Sequence, residues 1–411
     1  MPGKVHITSE IGRLRKVLVH SPGRELLAVT PATREDFLYD DVIDLQGAAE
    51  EHRRFTSVVR RFAEVYELRD LLRETLAIPE ARDFLLRRSK EATADQSVDR
   101  AFADVGPDEL ADRYIVGWST QTGAFSQRLE RASYVIPPLP NLFFTRDASM
   151  VVGDDVVVGA MRFSSRWPEE AIARTIYGFH PDFAGTRVLY DGSDERRHDY
   201  AIEGGDVHPI APDVLLCGVS ERTSVAALDE LTTALFRDTP VTDVIAVVLP
   251  ERSTAIHLDM VFTQVDAGVC AVYPPAFRGP SKVPVLHRRK GNETVSEPAS
   301  LFHALREVGQ PMEPVLCGGP QREQQDREQW ASGTNFFAVA PGVVLAYNRN
   351  HETLKAMQAA GFRVITSHRF LVGDDDVRPG ERAVIAVASS ELVRGGGGPR
   401  CMTAPLVRDD P

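Results

Sequence analysis

SMVVGDDVVVGA, residues 149–160, is the stretch from which the fold can be predicted. Two short runs rich in valine flank Gly-Asp-Asp, an arrangement typical of antiparallel strands joined by a tight turn. Arg166 and a segment with helical periodicity, PEEAIARTIYGF (168–179), come next. The stretch therefore predicts a unit made of strand, turn, strand and helix.

The same unit recurs through the last two-thirds of the chain. Strands that alternate with helices predict an α/β fold, and repetition of one unit predicts a closed, propeller-like ring of roughly five members. The further members are DVHPIAPDVLLCGV (206–219) followed by VAALDELTTALF (225–236), DMVFTQVDAGVCAVY (259–273), and TNFFAVAPGVVLAYN (334–348) followed by HETLKAMQAAG (351–361), with RLRKVLVHSPG (13–23) as a partial first member.

A helical stretch interrupts this array from about Gly47 to Arg131. Its first part places apolar residues on one predicted helical face with Arg and Glu opposite. We therefore predict an α-helical subdomain, 47–131, inserted into a catalytic α/β body formed by 1–46 and 132–411. The apolar face consists of Phe55, Val58, Val59, Phe62, Val65 and Tyr66.

The amino-acid composition and net charge limit the kinds of binding partner and the cellular location that we expect. The 411 residues carry a net charge of −12, which argues against nucleic acid and favours a cationic small molecule. No apolar run is long enough to span a bilayer and no signal segment is evident, so we expect a cytoplasmic protein without a membrane partner. The four cysteines form no Cys-x-x-Cys pair, which predicts neither a disulfide framework nor a zinc site.

The end of the chain contains a candidate nucleophile. Four consecutive glycines, Gly395 to Gly398, precede Pro399, Arg400 and Cys401. A glycine run is costly to order and is found mainly where backbone approaches another group closely. A cysteine placed directly after it is expected at a cleft, where a deprotonated thiol is a strong nucleophile.

Polar residues precede successive hairpins at equivalent places in the repeat. If the units surround a common axis, these positions converge at one end of the ring. They are Asp147 in FTRD, Glu203 and Asp206 in EGGD, His257 and Asp259 in IHLD, and Cys401 in PRC. Individually, each has a structural explanation as a cap, a bend or a buried histidine. Their equivalent positions favour a shared site.

This set of residue types indicates a cationic substrate. One carboxylate suffices to orient a catalytic histidine, and additional buried carboxylates raise the pKa of a thiol. They are explained if the substrate is a planar guanidinium, which binds carboxylates through paired N–H donors. Asp147 and Asp259 would then hold the guanidinium with Cys401 facing its central carbon.

Six strings make the chain resemble the arginine deiminase family of the guanidino-group-modifying (pentein) superfamily: PNLFFTRD, IEGGDV, SERTS, IHLDMVF, GTNFFAVAPGVVLAYNRN and GGGGPRCMTAPLVRD. They occur in order across nearly the whole chain. The resemblance implies a five-bladed α/β propeller with an inserted helical subdomain, no cofactor and no metal. It also implies hydrolysis of L-arginine to L-citrulline and ammonia.

The resemblance assigns a role to each candidate residue. Cys401 would attack the guanidinium carbon, His257 would transfer protons, and Glu203 would orient or charge His257. Asp147 and Asp259 would hold the guanidinium. The amino-acid end of arginine would lie on Asn141, Arg166 and Arg222. Phe144 and the Gly395 region would close the pocket, and Asp206 is predicted as a further substrate-binding residue.

One position departs from the family pattern. Many members have arginine five residues before the nucleophile, and this chain has Gly396. Glycine at this position predicts a looser site, so a modified arginine is an alternative substrate. Arg394 would replace the missing arginine if the glycine run shifted.

Other functions stay open at this point. Related enzymes transfer the amidino group to an amine or hydrolyse arginine to ornithine, and fold does not decide between them. A non-catalytic arginine-binding homologue is a further alternative, and a cysteine protease does not explain the extra carboxylates. A homodimer or higher homo-oligomer is also open.

Overall fold

The computed structural model describes residues 4–93, 98–120, 124–128, 133–194, 200–250 and 253–411. Short strands alternate with helices, so the predicted α/β class is confirmed. The strands are β1 (Leu14–Val19), β2 (Glu64–Glu67), β3 (Trp118–Thr120), β4 (Ser133–Ile136), β5 (Ser149–Val152), β6 (Asp155–Val158), β7 (Val188–Asp191), β8 (Val207–Ala211), β9 (Val214–Val219), β10 (Asp243–Val248), β11 (Phe262–Asp266), β12 (Val269–Val272), β13 (Val285–Arg289), β14 (Glu313–Leu316), β15 (Phe337–Ala340), β16 (Val343–Tyr347), β17 (Arg363–Thr366), β18 (Ala383–Val387) and β19 (Ala404–Arg408).

The helices begin where the sequence offers local stabilisation. The Ser224 side chain accepts a hydrogen bond from the Ala227 amide at one helix start, and Pro168 occupies the first turn of another. The α-helices are α1 (Leu45–Val59), α2 (Leu68–Thr75), α3 (Pro79–Thr93), α4 (Val98–Phe102), α5 (Pro107–Ile115), α6 (Ala124–Arg128), α7 (Trp167–Phe179), α8 (Val225–Asp238), α9 (Pro274–Phe277), α10 (Leu301–Glu307), α11 (Arg322–Trp330), α12 (His351–Ala359) and α13 (Ser367–Val372).

Four sheets share one plan, and the four predicted hairpins are confirmed. In each sheet an antiparallel hairpin is extended by a later strand that runs parallel to its second strand. Gly153, Gly268 and Gly342 have φ values of 62°, 69° and 70° at three of the turns, a conformation that favours glycine. The sheets have the strand orders β5-β6-β7, β13-β10-β9-β8, β11-β12-β14 and β15-β16-β18-β17.

The partial first member is completed by the end of the chain. β19 pairs antiparallel with β1, joining Leu14 to Arg408, and β2 pairs parallel with β1. This sheet, β19-β1-β2, therefore repeats the plan of the other four with strands from both ends of the sequence. It also brings Cys401, which lies three residues before β19, to a position equivalent to that of the other polar motifs.

The predicted helical face that continued to Tyr66 is wrong beyond Val59. Helix α1 ends there, and Val65 and Tyr66 lie in β2, opposite Val17 and Leu18 of β1. The spacing of these apolar residues suits a helix and a strand alike. Val65 is β-branched and Tyr66 is aromatic, and such residues favour pairing with the edge of β1 that β19 leaves free.

Helices α2 and α3 pack against α7, which contacts β6; α4 packs against α3, and α5 packs against α2. Their apolar residues share one cluster with Ile172 and Ile176 of α7; these are Leu71, Leu72, Leu85, Leu110 and Tyr114. In the described part of the chain, none of the helices has the length and apolar character that crossing a membrane requires.

Candidate active site

Cys401 lies in the wall of a cavity of about 420 Å³ that also contains Asp147, His257, Arg166 and Arg222 in its lining. The cysteine is buried, with 5% of its surface exposed. The volume is within the range of small-molecule sites in proteins. The structure thus brings the thiol, the imidazole and a carboxylate from three separate motifs to one cavity.

The glycine run allows the backbone to pass close to neighbouring side chains. A Cβ atom on Gly397 would lie 2.4 Å from the Phe144 ring, and one on Gly398 would lie 2.6 Å from Asn335 Oδ1. Gly396 has a φ of 84°, while a Cβ there would meet nothing within 4 Å. Glycine is therefore required at Gly397 and Gly398 because neighbouring side chains leave no room for a Cβ atom. At Gly396 it is favoured because of the positive φ.

Asn335 holds the nucleophile in place. Its Oδ1 atom accepts hydrogen bonds from the backbone amides of Arg400, at 2.9 Å, and Cys401, at 3.2 Å. Its Nδ2 atom lies 3.2 Å from the Cys401 sulfur and donates to it. A single buried side chain therefore fixes both the chain direction and the sulfur.

Asp259 is the carboxylate next to the sulfur. Its Oδ2 atom lies 3.6 Å from Cys401 Sγ and accepts a 2.9 Å hydrogen bond from Arg400 Nη1. Arg400 is fully buried, and its Nε and Nη2 atoms each donate a 3.0 Å bond to Glu10. The orientation of Asp259 thus depends on a buried ion pair that reaches the other end of the chain.

His257 is held between two carboxylates. Its Nε2 atom lies 2.9 Å from Glu203 Oε2, and its Nδ1 atom lies 3.9 Å from Asp147 Oδ1. The ring packs directly on the backbone of Gly205, where a Cβ would come within 2.5 Å of the ring. The glycine pair in EGGD is therefore explained by the close approach of this imidazole.

The charged form of His257 is favoured. Burial opposes it, but the carboxylates of Asp147, Glu203 and Asp206 outweigh that effect and raise the pKa of His257 to about 9. Burial also opposes ionisation of Glu203, whereas Arg222 and His257 lower the pKa of Glu203 to about 2. At neutral pH the pair is therefore an imidazolium beside a carboxylate.

The thiol of Cys401 is favoured over the thiolate when no cation is bound. Burial raises the pKa of Cys401 well above its ordinary value, and the carboxylates of Asp259 and Asp147 raise it further. Arg400 acts in the opposite direction but does not compensate. A positive charge placed between these carboxylates would favour ionisation of the sulfur.

The two arginines predicted to bind the substrate carboxylate lie in the cavity wall. Arg166 donates to Asp147 Oδ2 at 2.7 Å and binds both oxygens of Glu169, at 2.9 and 2.8 Å. Arg222 Nη1 lies 3.4 Å from Glu203 Oε2. Both therefore also neutralise the carboxylates around His257.

Two carboxylate oxygens in the site are buried without a hydrogen-bond donor among the described residues. They are Oδ1 of Asp147 and Oδ1 of Asp259. In each case the second oxygen is engaged by an arginine of the chain, Arg166 or Arg400. A buried acceptor without a donor is unfavourable, and a bound guanidinium would supply donors to both.

Asp206 lies behind the cavity wall instead of in it. It is fully buried; Oδ1 accepts a 2.7 Å bond from the Leu258 amide, and Oδ2 accepts a 2.6 Å bond from the Ser220 hydroxyl. Burial raises the pKa of Asp206 to about 6. The structure thus places it where it positions the segment of His257, and the substrate contact predicted for it stays a prediction.

Asn141, Phe144 and Gly395 line the cavity with the other predicted binding residues. Asn141 Nδ2 donates a 2.7 Å bond to the Phe37 carbonyl. A Cβ atom on Gly395 would lie 3.0 Å from the Phe144 ring. These residues therefore form one continuous wall with the glycine run.

Arg394 lines the cavity but is held by another side chain of the wall. Its Nη2 atom binds Asp41 Oδ2 at 2.5 Å, and Asp41 lines the same cavity. Gly396 itself faces open space.

One group in the site has the spacing of metal ligands. Donor atoms of Asp147, Glu203 and His257 lie within 4.8 Å of one another. Arg166 and Arg222 already place guanidinium charges on these two carboxylates. Because both would repel a metal cation, the donor set fits proton transfer better than a resident ion, and the expectation of no metal and no cofactor stays a prediction.

Four residues that complete the site were not identified from the sequence: Glu10, Glu169, Asn335 and Arg400. Asn335 lies in GTNFF and Arg400 in PRC, two strings that the sequence analysis singled out. Neither string shows that Asn335 binds the amide of Arg400 or that Arg400 binds Asp259. Glu169 lies three residues after Arg166 at a helix start, a spacing that allows the pair. Nothing near Glu10 in the sequence indicates its partner.

Comparison with known proteins agrees with this geometry. The family model described as "Arginine deiminase" matches residues 35–408. A protein named arginine deiminase from Limosilactobacillus fermentum is 34% identical over 432 aligned residues, covering 100% of both chains. One of the same name from Rhodococcus erythropolis is 34% identical and covers 98% of this chain and 97% of its own.

Solved structures share the fold at low sequence identity. SxtG, an amidinotransferase from Microseira wollei, has a TM-score of 0.58 and 14% identity over 99% of this chain and 98% of its own. DDAH from Pseudomonas aeruginosa has a TM-score of 0.52 and 13% identity over 96% and 99%. These likenesses concern the fold alone. The family model and the full-length sequence matches show that the chain belongs to the arginine deiminase family.

Proposed function

We propose that this protein hydrolyses the guanidinium group of L-arginine to give L-citrulline and ammonia through a covalent intermediate on Cys401. One observation supports this most directly: Asp259 and Asp147, whose charges both act on the Cys401 thiol, each keep one buried oxygen without a donor among the described residues. A guanidinium bound to both oxygens would present its central carbon to Cys401. The arginine deiminases that match the whole chain support the same reaction.

In the first half of the reaction the cation binds and the thiol loses its proton to solvent, because His257 is already protonated. The thiolate adds to the guanidinium carbon and forms a carbon–sulfur bond. The His257 imidazolium protonates one amino group, and the carbon–nitrogen bond breaks to release ammonia. The product is a thiouronium cation on Cys401 with a neutral His257.

In the second half the same histidine acts as a base. Neutral His257 takes a proton from water, and the hydroxide adds to the thiouronium carbon. The tetrahedral intermediate releases its hydroxyl proton to solvent, forms the carbonyl of citrulline and expels the Cys401 thiolate, which takes up a proton from solvent and returns to the thiol once the neutral product leaves. The ureido product is neutral, so the attraction between the cationic headgroup and Asp147 and Asp259 is lost and product release is favoured.

The predicted residue roles are proposed on this basis. Glu203 keeps His257 charged, Arg222 and Arg166 receive the α-carboxylate, and Asn141, Phe144 and Gly395 form the surrounding wall. For Asp206 we propose a positioning role in place of substrate contact.

A modified arginine is a second candidate substrate. It is favoured by Gly396, which leaves open space where many family members carry an arginine side chain. Steady-state kinetics with L-arginine and Nω-methyl-L-arginine would distinguish the two: a higher kcat/KM for the methylated compound favours the second candidate.

We also propose a finer architecture. The five sheets of three or four strands would be the blades of a five-bladed propeller with a common axis near Cys401. The separation into a catalytic body (1–46 and 132–411) and a helical insertion (47–131) is likewise a proposal. The pairing of β2 with β1 favours placing its first boundary at Leu68. A cytoplasmic location and a homodimer or higher homo-oligomer stay predictions.

Product analysis tests the proposed function. The protein is incubated with L-arginine, with and without a second amine, and products are identified by mass spectrometry. Citrulline and ammonia in equal amounts are expected, with no turnover by Cys401→Ala. Ornithine would indicate a dihydrolase, and an amidino-amine would indicate a transferase. Calorimetric binding without ammonia release would indicate a non-catalytic arginine-binding protein.

A further inference from the structure

The proposed substrate has a charge for which none of the roles above provides a partner. Free arginine carries an α-carboxylate and an α-ammonium on the same carbon atom. Arg222 and Arg166 suit the carboxylate. A partner for the ammonium must be an acceptor in the cavity wall close to these arginines, because the two groups share one carbon.

Glu221 is adjacent to Arg222 and lines the same cavity. It lies in a turn that is tightly fixed: the Ser220 hydroxyl accepts from the amides of Arg222, at 3.0 Å, and Thr223, at 3.2 Å. The same hydroxyl donates a 2.6 Å bond to the buried carboxylate of Asp206. The position of Glu221 is therefore fixed by the elements that also position the site.

The other carboxylates at the opening of the cavity are engaged or exposed. Asp41 pairs with Arg394, and Glu35 pairs with Arg34 at 2.9 Å. Asp40 is exposed on the loop. Among the residues that the structure describes, Glu221 is partly buried and has no ion pair or side-chain hydrogen bond.

We propose that Glu221 binds the α-ammonium group of the substrate, so that residues 221 and 222 together recognise the zwitterionic end of a free amino acid. This assignment rests on the proposed function and deepens it. It predicts selection against guanidino compounds that lack the ammonium group or carry it as an amide.

The test compares two ligands that differ in this group alone. L-Arginine and 5-guanidinopentanoate share the guanidinium, the carbon chain and the carboxylate, and the second lacks the ammonium. Binding of both is measured by calorimetry in the Cys401→Ala background, with and without Glu221→Gln. Kinetics of citrulline formation are measured with Glu221→Gln alone. Glu230→Gln, an exposed carboxylate on α8, is the control for the same charge change.

We expect Glu221→Gln to weaken L-arginine binding roughly 10- to 100-fold, in the range for a hydrogen bond to a charged group. Its affinity for 5-guanidinopentanoate should stay within about twofold, which also shows that the cavity is intact. In kinetics, KM should rise while kcat is retained. Glu230→Gln should change the affinity for neither ligand.

Equal losses for both ligands would overturn the assignment, because Glu221 would then act on the structure of the site. Unchanged affinity for both ligands in Glu221→Gln would also overturn it. The same holds if Asp40→Asn, measured in the same way, lost affinity for L-arginine selectively while Glu221→Gln did not. Binding of arginine without citrulline formation by the unmodified protein would refute the proposed function while still testing Glu221. Citrulline formation with no ligand selectivity in Glu221→Gln would refute the Glu221 assignment alone.

Discussion

The sulfur of Cys401 lies 3.6 Å from a carboxylate oxygen of Asp259. A carboxylate so close to a buried sulfur opposes the formation of a thiolate. The same carboxylate is one of the two that would hold a guanidinium. In the proposed reaction, the group that suppresses the nucleophile in the free protein would therefore also bind the cation that relieves the suppression. Reactivity would thus be linked to the presence of substrate.

The first prediction concerns ionisation of the nucleophile. Since burial, Asp259 and Asp147 all raise the pKa of Cys401, the free protein should titrate above the ordinary thiol range. Thiolate absorbance, taken as the difference between the protein and Cys401→Ala, measures this value. Asp259→Asn should lower it while abolishing turnover. A thiolate already formed at neutral pH in the free protein would contradict the account.

The second prediction concerns the histidine and its carboxylate. The carboxylates of Asp147, Glu203 and Asp206 together raise the pKa of His257 to about 9. Glu203→Gln removes one of these charges, so the imidazolium should be lost at a lower pH. The alkaline limb of the kcat profile should move in the same direction, and kcat should fall roughly 10²-fold or more. NMR titration of the His257 ring gives the pKa independently. An unchanged alkaline limb would show that Glu203 does not act through His257.

The third prediction is a stability change with pH. His257 has a folded-state pKa raised above its ordinary value of 6.5. Its contribution to the free energy of unfolding is therefore complete below about 6.5 and lost as pH rises through about 9. Urea unfolding should show that the stability difference between the protein and His257→Gln decreases by roughly 3 kcal/mol from pH 6 to pH 10. A constant difference would contradict the raised pKa.

The fourth prediction concerns the buried ion pair behind the nucleophile. Arg400→Met leaves Asp259 and Glu10 buried without their shared cation, and should lower the free energy of unfolding by about 3–5 kcal/mol. Chemical denaturation measures the loss. Arg237→Met, which breaks an exposed pair with Asp238, should leave the free energy of unfolding nearly unchanged. Similar effects for the two variants would indicate that the buried network is unimportant.

The fifth prediction separates two neighbouring glycines. A methyl group at Gly397 would collide with the Phe144 ring, whereas one at Gly396 would meet nothing within 4 Å. Gly397→Ala should therefore raise KM for arginine severalfold or more, and Gly396→Ala should mainly cost about 1 kcal/mol of stability from its positive φ. Steady-state kinetics and thermal unfolding of both variants test this. The reverse order would show that Gly396 is the position where the backbone must approach the substrate.

Sequence patterns predicted the local features of this molecule and missed the distant ones. The hairpins around Gly153 and Gly342 follow from β-branched runs and turn residues, which act over a few positions. The pairing of β1 with β19 joins the two ends of the chain, and the contact between Glu10 and Arg400 depends on it. No local pattern encodes such a contact.

The end of α1 shows a different limit. Val65 and Tyr66 continue the helical spacing of Phe55 and Val59, so periodicity alone favoured a longer helix. Pairing with β1 decides the outcome, and that partner is not visible from the segment itself. For Asp206 the EGGD motif indicates only a region of the chain, because the role of this residue depends on which atoms its oxygens reach.

The account depends most on attack by Cys401 on a guanidinium carbon held between Asp147 and Asp259. Acid quenching during turnover of L-arginine, followed by mass spectrometry of the peptide containing Cys401, tests this most directly. We expect that peptide to gain the mass of arginine less ammonia and to return to its original mass as citrulline accumulates. Citrulline formation by Cys401→Ala, together with no adduct on Cys401 at any time during turnover, would contradict it.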